Sequence, residues 1–221
     1  IFPPVSGSLV LATVPAHHIY GLLFRILCPI ATDRPFSTDQ IAYPEQLTAA
    51  VKRYPGSTLV SSPAFLKRAL PLLDLESLRK DIGPIYSSGG PLAPSIAEAY
   101  NAILIHPIIE VYGSTETGGI AHRTVRDADA VPQWLPLPGV DIRVDTEDRR
   151  LYVMSPFLTE TTWFLTNDRA EIGPDGRFEL QGRADRIVKI EERRVSLIEI
   201  EKQLLEFPGV ASARVIPLPS D

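Results

Sequence analysis

The chain has little of what marks a basic, disulfide-linked or membrane-spanning protein. Its 221 residues carry 22 Lys and Arg against 27 Asp and Glu, a formal net charge of −5, which argues against nucleic acid as a partner. The single cysteine, Cys28, excludes an internal disulfide and favours a cytoplasmic location. The apolar run from Ile19 to Ala31 is interrupted by Arg25 and Pro29 and is shorter than the roughly 20 residues that span a membrane. We therefore expect neither a nucleic acid partner nor a membrane span.

Proline, by contrast, is abundant, with 21 residues in the chain. Prolines divide the sequence into short elements joined by ordered turns. Up to residue 125 the predicted strands and helices alternate, which indicates an α/β fold. The strands are predicted at 8–14, 59–60, 85–86 and 107–112, and the helices at 20–28, 44–54, 63–70 and 94–100.

The second half of the chain has a different pattern, with predicted strands separated by charged or proline-containing turns. Strands are expected at 137–144, 150–154, 186–190 and 210–216, a turn at 174–176, and a helix from a cap at Ser196 to about Phe207. These patterns predict an α/β part over 1–125, a small antiparallel β subdomain over 126–182 and the start of a smaller α+β domain over 183–221.

The most informative segment follows the predicted strand at 107–112 and reads Val-Tyr-Gly-Ser-Thr-Glu-Thr-Gly-Gly from Val111. The Tyr112 ring could stack on a base, the Thr115 hydroxyl could donate to a phosphate oxygen, and the Glu116 carboxylate could hold Mg²⁺. Loops at strand ends are where α/β proteins bind ligands. The segment therefore predicts a nucleotide and metal site, against the simpler alternative of a polar turn with a core tyrosine.

Three further clusters could carry chemistry, and each has an ordinary alternative. In Ser-Ser-Gly-Gly-Pro at 87–91, Gly89 and Gly90 could lie against a planar base or carboxyl group, or form a plain loop. In Thr-Asn-Asp at 166–168, Asp168 could accept hydrogen bonds from two ribose hydroxyls, or lie in a solvated turn. His17 and His18 invite a zinc site, but adjacent residues of an extended segment point to opposite faces and no further ligand is near in sequence, which argues against zinc.

In this order, and with Gly-Arg-Ala-Asp-Arg-Ile-Val-Lys from Gly182, the clusters resemble the adenylate-forming enzymes, above all bacterial acyl-CoA synthetase-like AMP-dependent ligases. The similarity runs from about Val14 to Glu201. It implies a partial large N-terminal α/β domain with a small antiparallel β subdomain, followed by the start of a smaller α+β C-terminal domain. It also implies joining of a small carboxylic acid to AMP, with ATP and Mg²⁺, and transfer of the acyl group to the thiol of CoA or of a pantetheine-bearing acyl carrier protein.

The resemblance also implies roles for particular residues. The nucleotide-binding set would be Gly89, Gly90, Tyr112, Gly113, Ser114, Thr115, Asp168 and Arg183. Catalytic roles would fall to Thr115, to Glu116 as metal ligand, to His18 at the mouth of the acyl pocket, and to Lys189 in the thiol-transfer state, reached by rotation about a hinge at Asp185. A solvated ion pair for Arg183 and Asp185, and an exposed strand position for Lys189, are the ordinary alternatives.

The sequence also departs from the family pattern. No Ser/Thr/Gly-rich phosphate loop ending in lysine occurs between Ile1 and His17, and the chain has less than half the family's length and ends before the catalytic lysine of adenylation. Asn167 and Glu192 stand where relatives usually have glycine. We expect the sequence to be part of a longer ligase. A truncated, non-catalytic AMP- or acyl-binding module and a pure α/β scaffold protein are the alternatives.

Overall fold

The computed structural model describes residues 8–124, 133–158, 162–190, 193–210 and 212–216. The chain forms two compact units, the first comprising residues 1–140 and 155–161 and the second residues 141–154 and 162–221. The predicted α/β fold is confirmed. The three-part division predicted from sequence stays a prediction, and Glu192 lies outside the described residues.

A mixed seven-stranded sheet forms the centre of the first unit, with strand order β2-β1-β3-β4-β5-β6-β7. Strands β1 to β5 run parallel, while β6 and β7 are antiparallel additions at one edge. The strands are β1 (Val10–Ala12), β2 (Phe36–Gln40), β3 (Ser57–Ser61), β4 (Ile82–Ser87), β5 (Ile108–Ser114), β6 (Gly118–Thr124) and β7 (Leu135–Pro136). Because parallel strands all end at the same edge, the loops after β1, β3, β4 and β5 meet there.

Helices connect the parallel strands of the first unit. They are α1 (Ile19–Gly21), a π-helix (Leu22–Leu27), α2 (Cys28–Ala31), α3 (Pro44–Arg53), α4 (Pro63–Ala69), a 3₁₀ turn (Leu70–Leu72), α5 (Leu75–Leu78) and α6 (Pro94–Asn101). Proline starts α3, α4 and α6, as predicted, because its fixed φ suits the first helical turn and its missing N–H would have no partner there. Buried side chains such as Leu59, Leu66 and Ile85 form the core against the sheet.

The second unit contains an antiparallel four-stranded sheet of order β11-β10-β9-β8, in agreement with the predicted antiparallel pattern. Its strands are β8 (Asp141–Val144), β9 (Arg150–Met154), β10 (Phe164–Ile172) and β11 (Phe178–Arg183). A 3₁₀ turn (Ala184–Arg186), the hairpin β12 (Ile187–Ile190) and β13 (Arg193–Ser196), and helix α7 (Leu197–Leu205) follow. The Ser196 hydroxyl caps α7 by accepting the Glu199 N–H at 3.3 Å, as the sequence predicted.

Two predicted strands are wrong in whole or in part. Of 137–144 only the second half forms a strand, because Pro138 and Gly139 make a turn in which the Val140 N–H donates to the Leu137 carbonyl at 3.0 Å. The described residues of 210–216 form no strand. The Val215 N–H instead donates to the Glu201 carboxylate at 2.7 Å. A side chain therefore accepts the hydrogen bond that a neighbouring strand would have accepted. No helix in the described part of the chain is long and apolar enough to cross a membrane.

Candidate functional site

A cavity of about 450 Å³ lies in the first unit where the parallel strands end. Its walls come from residues 13–24 after β1, Ser62 after β3, Ser88 and Gly89 after β4, and residues 111–119 of β5 and β6. Four chain segments that are distant in sequence therefore meet at one point because parallel strands share an edge. Ligand sites of α/β sheets lie at this edge.

The cavity brings together five of the residues predicted from sequence: His18, Gly89, Gly113, Ser114 and Thr115. Gly90, Tyr112 and Glu116 belong to the same loops but are not among the lining residues. Asp168, Arg183, Asp185 and Lys189 belong to the second unit. The predicted site residues thus fall into two sets. Those in the first unit line the cavity or adjoin it in sequence, and those in the second unit are charged.

Gly21 sets the position of the histidine segment beside the cavity. A Cβ on Gly21 would lie 2.0 Å from the Pro15 carbonyl oxygen, so only glycine lets the helix begin this close to the preceding loop. His17 and His18 lie in a turn, with ring centroids 4.6 Å apart. The expectation that the two rings point to opposite faces is wrong, because the rings lie side by side. The described residues contain no group of three or more His, Cys, Asp or Glu side chains able to hold a metal ion.

The glycine loop after β4 exposes bare backbone beside the cavity. Gly89 has a φ of +88°, a conformation that side-chain-bearing residues rarely adopt. A Cβ built on Gly90 would have no heavy atom within 4 Å, so no neighbouring described residue explains the absence of a side chain there. The loop therefore offers an open peptide surface against which a flat group could lie.

The β5–β6 hairpin requires glycine at its narrow point. A Cβ on Gly113 would lie 2.2 Å from the Gly118 carbonyl oxygen. The turn between the strands is fixed by Thr117, which is fully buried and whose N–H donates to the Ser114 hydroxyl at 3.2 Å. The Ser155 hydroxyl donates to the Thr117 carbonyl at 3.1 Å. The hairpin thus has a rigid base below its exposed tip.

Thr115 and Glu116 form that exposed tip. The Ser114 hydroxyl donates to the Glu116 carboxylate and lowers the pKa of that carboxyl, with a smaller contribution from the backbone of Glu116 itself. Glu116 is therefore ionised at neutral pH. Mg²⁺ takes oxygen ligands and typically binds through one or two carboxylates together with phosphate and water. The donor set at the tip fits such a partly solvated magnesium ion.

The Tyr112 ring packs against Trp134, which forms a cation–π pair with Arg123. Its centroid lies 5.5 Å from that of Trp134, a residue only 7% exposed. The Arg123 guanidinium lies 4.3 Å over the Trp134 ring, and Arg123 Nε donates to Glu110 Oε1 at 2.8 Å. The Tyr112 and Trp134 rings are tilted by 50° to each other, and a ring held by such aromatic packing has few alternative orientations. One side of Tyr112 is thus supported by the protein while the residue remains partly exposed.

Glu110 connects this aromatic group to the glycine loop. It is 3% exposed, and its second oxygen, Oε2, accepts the Leu92 N–H at 3.3 Å, directly after Pro91. One buried carboxylate therefore links β5 to the backbone that follows Gly89 and Gly90. Sequence analysis missed Glu110 and its partners Arg123 and Trp134. The sequence feature that could have identified Glu110 is a lone carboxylate within an apolar strand, because a buried charge requires a partner.

The second unit holds a separate charged cluster. Asp168 on β10 and Arg183 on β11 are register partners, and Arg183 Nη1 lies 3.7 Å from Asp168 Oδ1. Arg183 also donates to both oxygens of Asp185, from Nε at 2.9 Å and from Nη2 at 2.6 Å, and this pairing lowers the pKa of Asp185. Residues 166–168 lie within β10 rather than in a turn, so the turn expected there is wrong. Lys189 lies in β12 opposite Arg194.

Comparisons with known proteins agree with this geometry. A family model described as AMP-binding enzyme matches residues 3–154. A 4-coumarate–CoA ligase of Cereibacter sphaeroides is 33% identical over 218 residues, which covers 96% of this chain and 47% of that protein.

Solved structures show the same fold. O-succinylbenzoate coenzyme A synthetase (MenE) from Bacillus subtilis, in complex with AMP, has a TM-score of 0.80 at 18% identity and covers 96% of this chain and 49% of its own. ATP-bound MatB from Rhodopseudomonas palustris has a TM-score of 0.77 at 23% identity, with 95% and 47% covered. The chain spans about half the length of the proteins that it matches.

Proposed function

The chain belongs to the AMP-binding enzyme family, and we propose that it activates a small carboxylic acid with ATP and passes the acyl group to a thiol. In the first step a carboxylate oxygen attacks the α-phosphorus of ATP, which forms the acyl-adenylate and releases pyrophosphate. In the second step a thiol sulfur attacks the acyl carbon and releases AMP. CoA and the pantetheine of an acyl carrier protein are the two candidate acceptors.

One observation supports this function most strongly. The glycine loop, the hydroxyl-bearing hairpin and the histidine segment meet at one cavity at the carboxyl ends of four parallel strands. This edge can combine exposed backbone N–H groups with loop side chains, which suits the binding of phosphorylated ligands. Bringing acid and nucleotide together in one cavity would accelerate the reaction through positioning.

In the proposed nucleotide site, the base lies against the Tyr112 ring and the backbone of Gly89 and Gly90. The packing of Tyr112 on Trp134 supports this role, because a fixed ring loses little freedom when a base stacks on it. Gly113, Ser114 and Thr115 would face the phosphates, with the exposed Thr115 hydroxyl donating to a phosphate oxygen. Such a donor stabilises negative charge as it builds up in the transition state.

Glu116 would hold Mg²⁺ in this proposal. Its exposed and ionised carboxylate is the supporting observation. The metal, when bound, supplies positive charge against the phosphate oxygens of ATP. His18, exposed beside the cavity, would orient the acid so that its carboxylate faces the nucleotide.

For the second unit we propose the roles implied by the family resemblance. Asp168 would accept hydrogen bonds from ribose hydroxyls, Arg183 would bind beside the ribose and phosphate, Asp185 would act as the hinge, and Lys189 would serve the thiol-transfer step. The ion pairs of Arg183 with Asp168 and Asp185 support a cluster that can exchange partners. A cytoplasmic location is also part of the proposal and rests on the single cysteine.

Two measurements test the proposal together. Calorimetry should detect saturable AMP binding by the intact protein, and the intact protein should also catalyse acid-dependent exchange of pyrophosphate into ATP. Glu116→Gln should lower exchange by roughly a hundredfold if the carboxylate holds the metal. Glu98→Gln, an exposed glutamate on α6 of the same unit, should leave exchange unchanged.

The possible failures have distinct meanings. AMP binding without any exchange would instead identify a non-catalytic binding module. The absence of AMP binding would reject the proposal altogether.

A further inference from the structure

Apolar side chains form much of the cavity wall, beside the polar residues Thr13, Tyr20, Ser62 and Ser88. Val14 and Val111 are buried there, and Ile19, Leu23 and Phe24 complete the wall from the helical segment after β1. His18, Gly89 and Thr115, which also line the cavity, are exposed and therefore mark its rim. A ligand entering the cavity would keep its polar end at the rim and place its remaining atoms against hydrocarbon.

The helical segment explains why this wall carries no fixed charge. Its single cation, Arg25, lies in the π-helix Leu22–Leu27 and is only 5% exposed. Arg25 Nη1 donates to the Val14 carbonyl at 3.1 Å and Nη2 donates to the Thr38 carbonyl. Both terminal nitrogens of the guanidinium are therefore bound to backbone carbonyls, and Arg25 does not line the cavity. Among the residues that the structure describes, no Lys, Arg, Asp or Glu lines the cavity.

The charge and burial of the lining residues restrict which carboxylic acid can bind in the cavity. An acid with an aryl or alkyl body would remove apolar surface from water on both sides of the contact. A second carboxylate placed against the apolar wall would lose its hydration without gaining a Lys or Arg partner among the described lining residues, which is strongly unfavourable. We infer that the acid activated here is a monocarboxylic acid with an uncharged aryl or medium-chain alkyl body, and that a dicarboxylic acid is rejected. This inference rests on the proposed function, since it names the substrate class of the same site.

Stable acyl-adenylate analogues test the inference by calorimetry. The probes are AMP, a benzoyl-sulfamoyl adenosine and a malonyl-sulfamoyl adenosine. The aryl analogue should bind at least roughly tenfold more tightly than AMP, while the malonyl analogue should bind no more tightly than AMP. Equal affinity for the aryl and malonyl analogues would overturn the inference. Failure of AMP and both analogues to bind would reject the proposed function itself.

A pair of neighbouring variants sharpens the test. Leu23→Arg places a cation in the apolar wall and should reverse the order of affinities, so that the malonyl analogue binds more tightly than the aryl analogue. Leu22→Arg is the matched control, because Leu22 is 40% exposed and does not line the cavity. Retained AMP binding shows that a variant is folded. A Leu23→Arg protein that binds AMP but keeps the wild-type preference would contradict the assigned wall.

Discussion

The two units hold their candidate residues in opposite ways. In the first unit, Thr115 and Glu116 are exposed at the tip of a hairpin whose base is fixed by the buried Thr117. In the second unit, Arg183 and Asp185 are partly exposed and bind each other. A site with a fixed backbone and exposed donors can meet a ligand with little rearrangement, whereas paired charges must first exchange partners.

Each unit also contains an arginine–tryptophan pair, and the two pairs can be compared. In the first unit Arg123 lies 4.3 Å over Trp134 and is also bound to the buried Glu110. In the second unit Arg143 lies 4.4 Å over Trp163. Similar cation–π geometry therefore occurs in both units. In the first unit the tryptophan also packs on Tyr112 of the candidate site, whereas in the second Arg143 also lies 4.7 Å over Tyr152. Matched substitutions in the two units therefore distinguish effects on AMP binding from effects on stability.

Gly113→Ala should have the largest effect, because its Cβ would overlap the Gly118 carbonyl in the hairpin. We expect a loss of about 3 kcal/mol in the free energy of unfolding, together with loss of AMP binding. Chemical denaturation with calorimetry measures both. Gly90→Ala is the control for stability, since its Cβ meets no neighbour, and it should lower AMP affinity alone. Unchanged stability in Gly113→Ala would contradict the hairpin geometry.

Glu110→Gln should have the second-largest effect, a loss of about 2 kcal/mol in the free energy of unfolding. The substitution leaves the Arg123 charge without its buried partner. The exposed pair of Arg149 and Glu171 in the second unit is the comparison, and Glu171→Gln should cost less than about 1 kcal/mol. Denaturant unfolding of the two variants gives the difference. Equal losses would show that burial of the Glu110 pair has no energetic consequence.

Trp134→Leu should weaken AMP binding by roughly tenfold, because the Tyr112 ring loses its aromatic support. Trp163→Leu, which removes the corresponding cation–π contact in the second unit, should leave AMP affinity unchanged. Titration calorimetry compares the two variants directly. An equal effect of both substitutions on AMP affinity would mean that the loss is one of general stability.

Arg183→Met should have the smallest effect, which appears in the pH dependence of stability. Hydrogen bonding to Arg183 lowers the pKa of Asp185, so its stabilising contribution is complete above the ordinary range for aspartate and is lost as the pH falls through the lowered pKa. Both side chains are partly exposed, so the contribution should stay below about 1 kcal/mol. Carboxyl NMR titration should show the pKa of Asp185 rising in the variant, and an unchanged value would contradict the pairing.

Local patterns predicted much of this molecule. Prolines at helix starts, the Ser196 cap and the glycines around Tyr112 act on their immediate neighbours, so their effects are readable from sequence. The support of Tyr112 by Trp134 depends on strand pairing between distant segments, which no local pattern reports. The predicted strand at 210–216 failed for the same reason, because a strand needs a partner as well as suitable residues.

The most direct test of the account is a crystal structure of the protein with a stable benzoyl-adenylate analogue. In that structure the base should lie against Gly89, Gly90 and Tyr112, the phosphate group beside Thr115, and the aryl group between Val14 and Leu23. A ligand bound elsewhere, or a cavity that stays empty at saturating analogue, would contradict it.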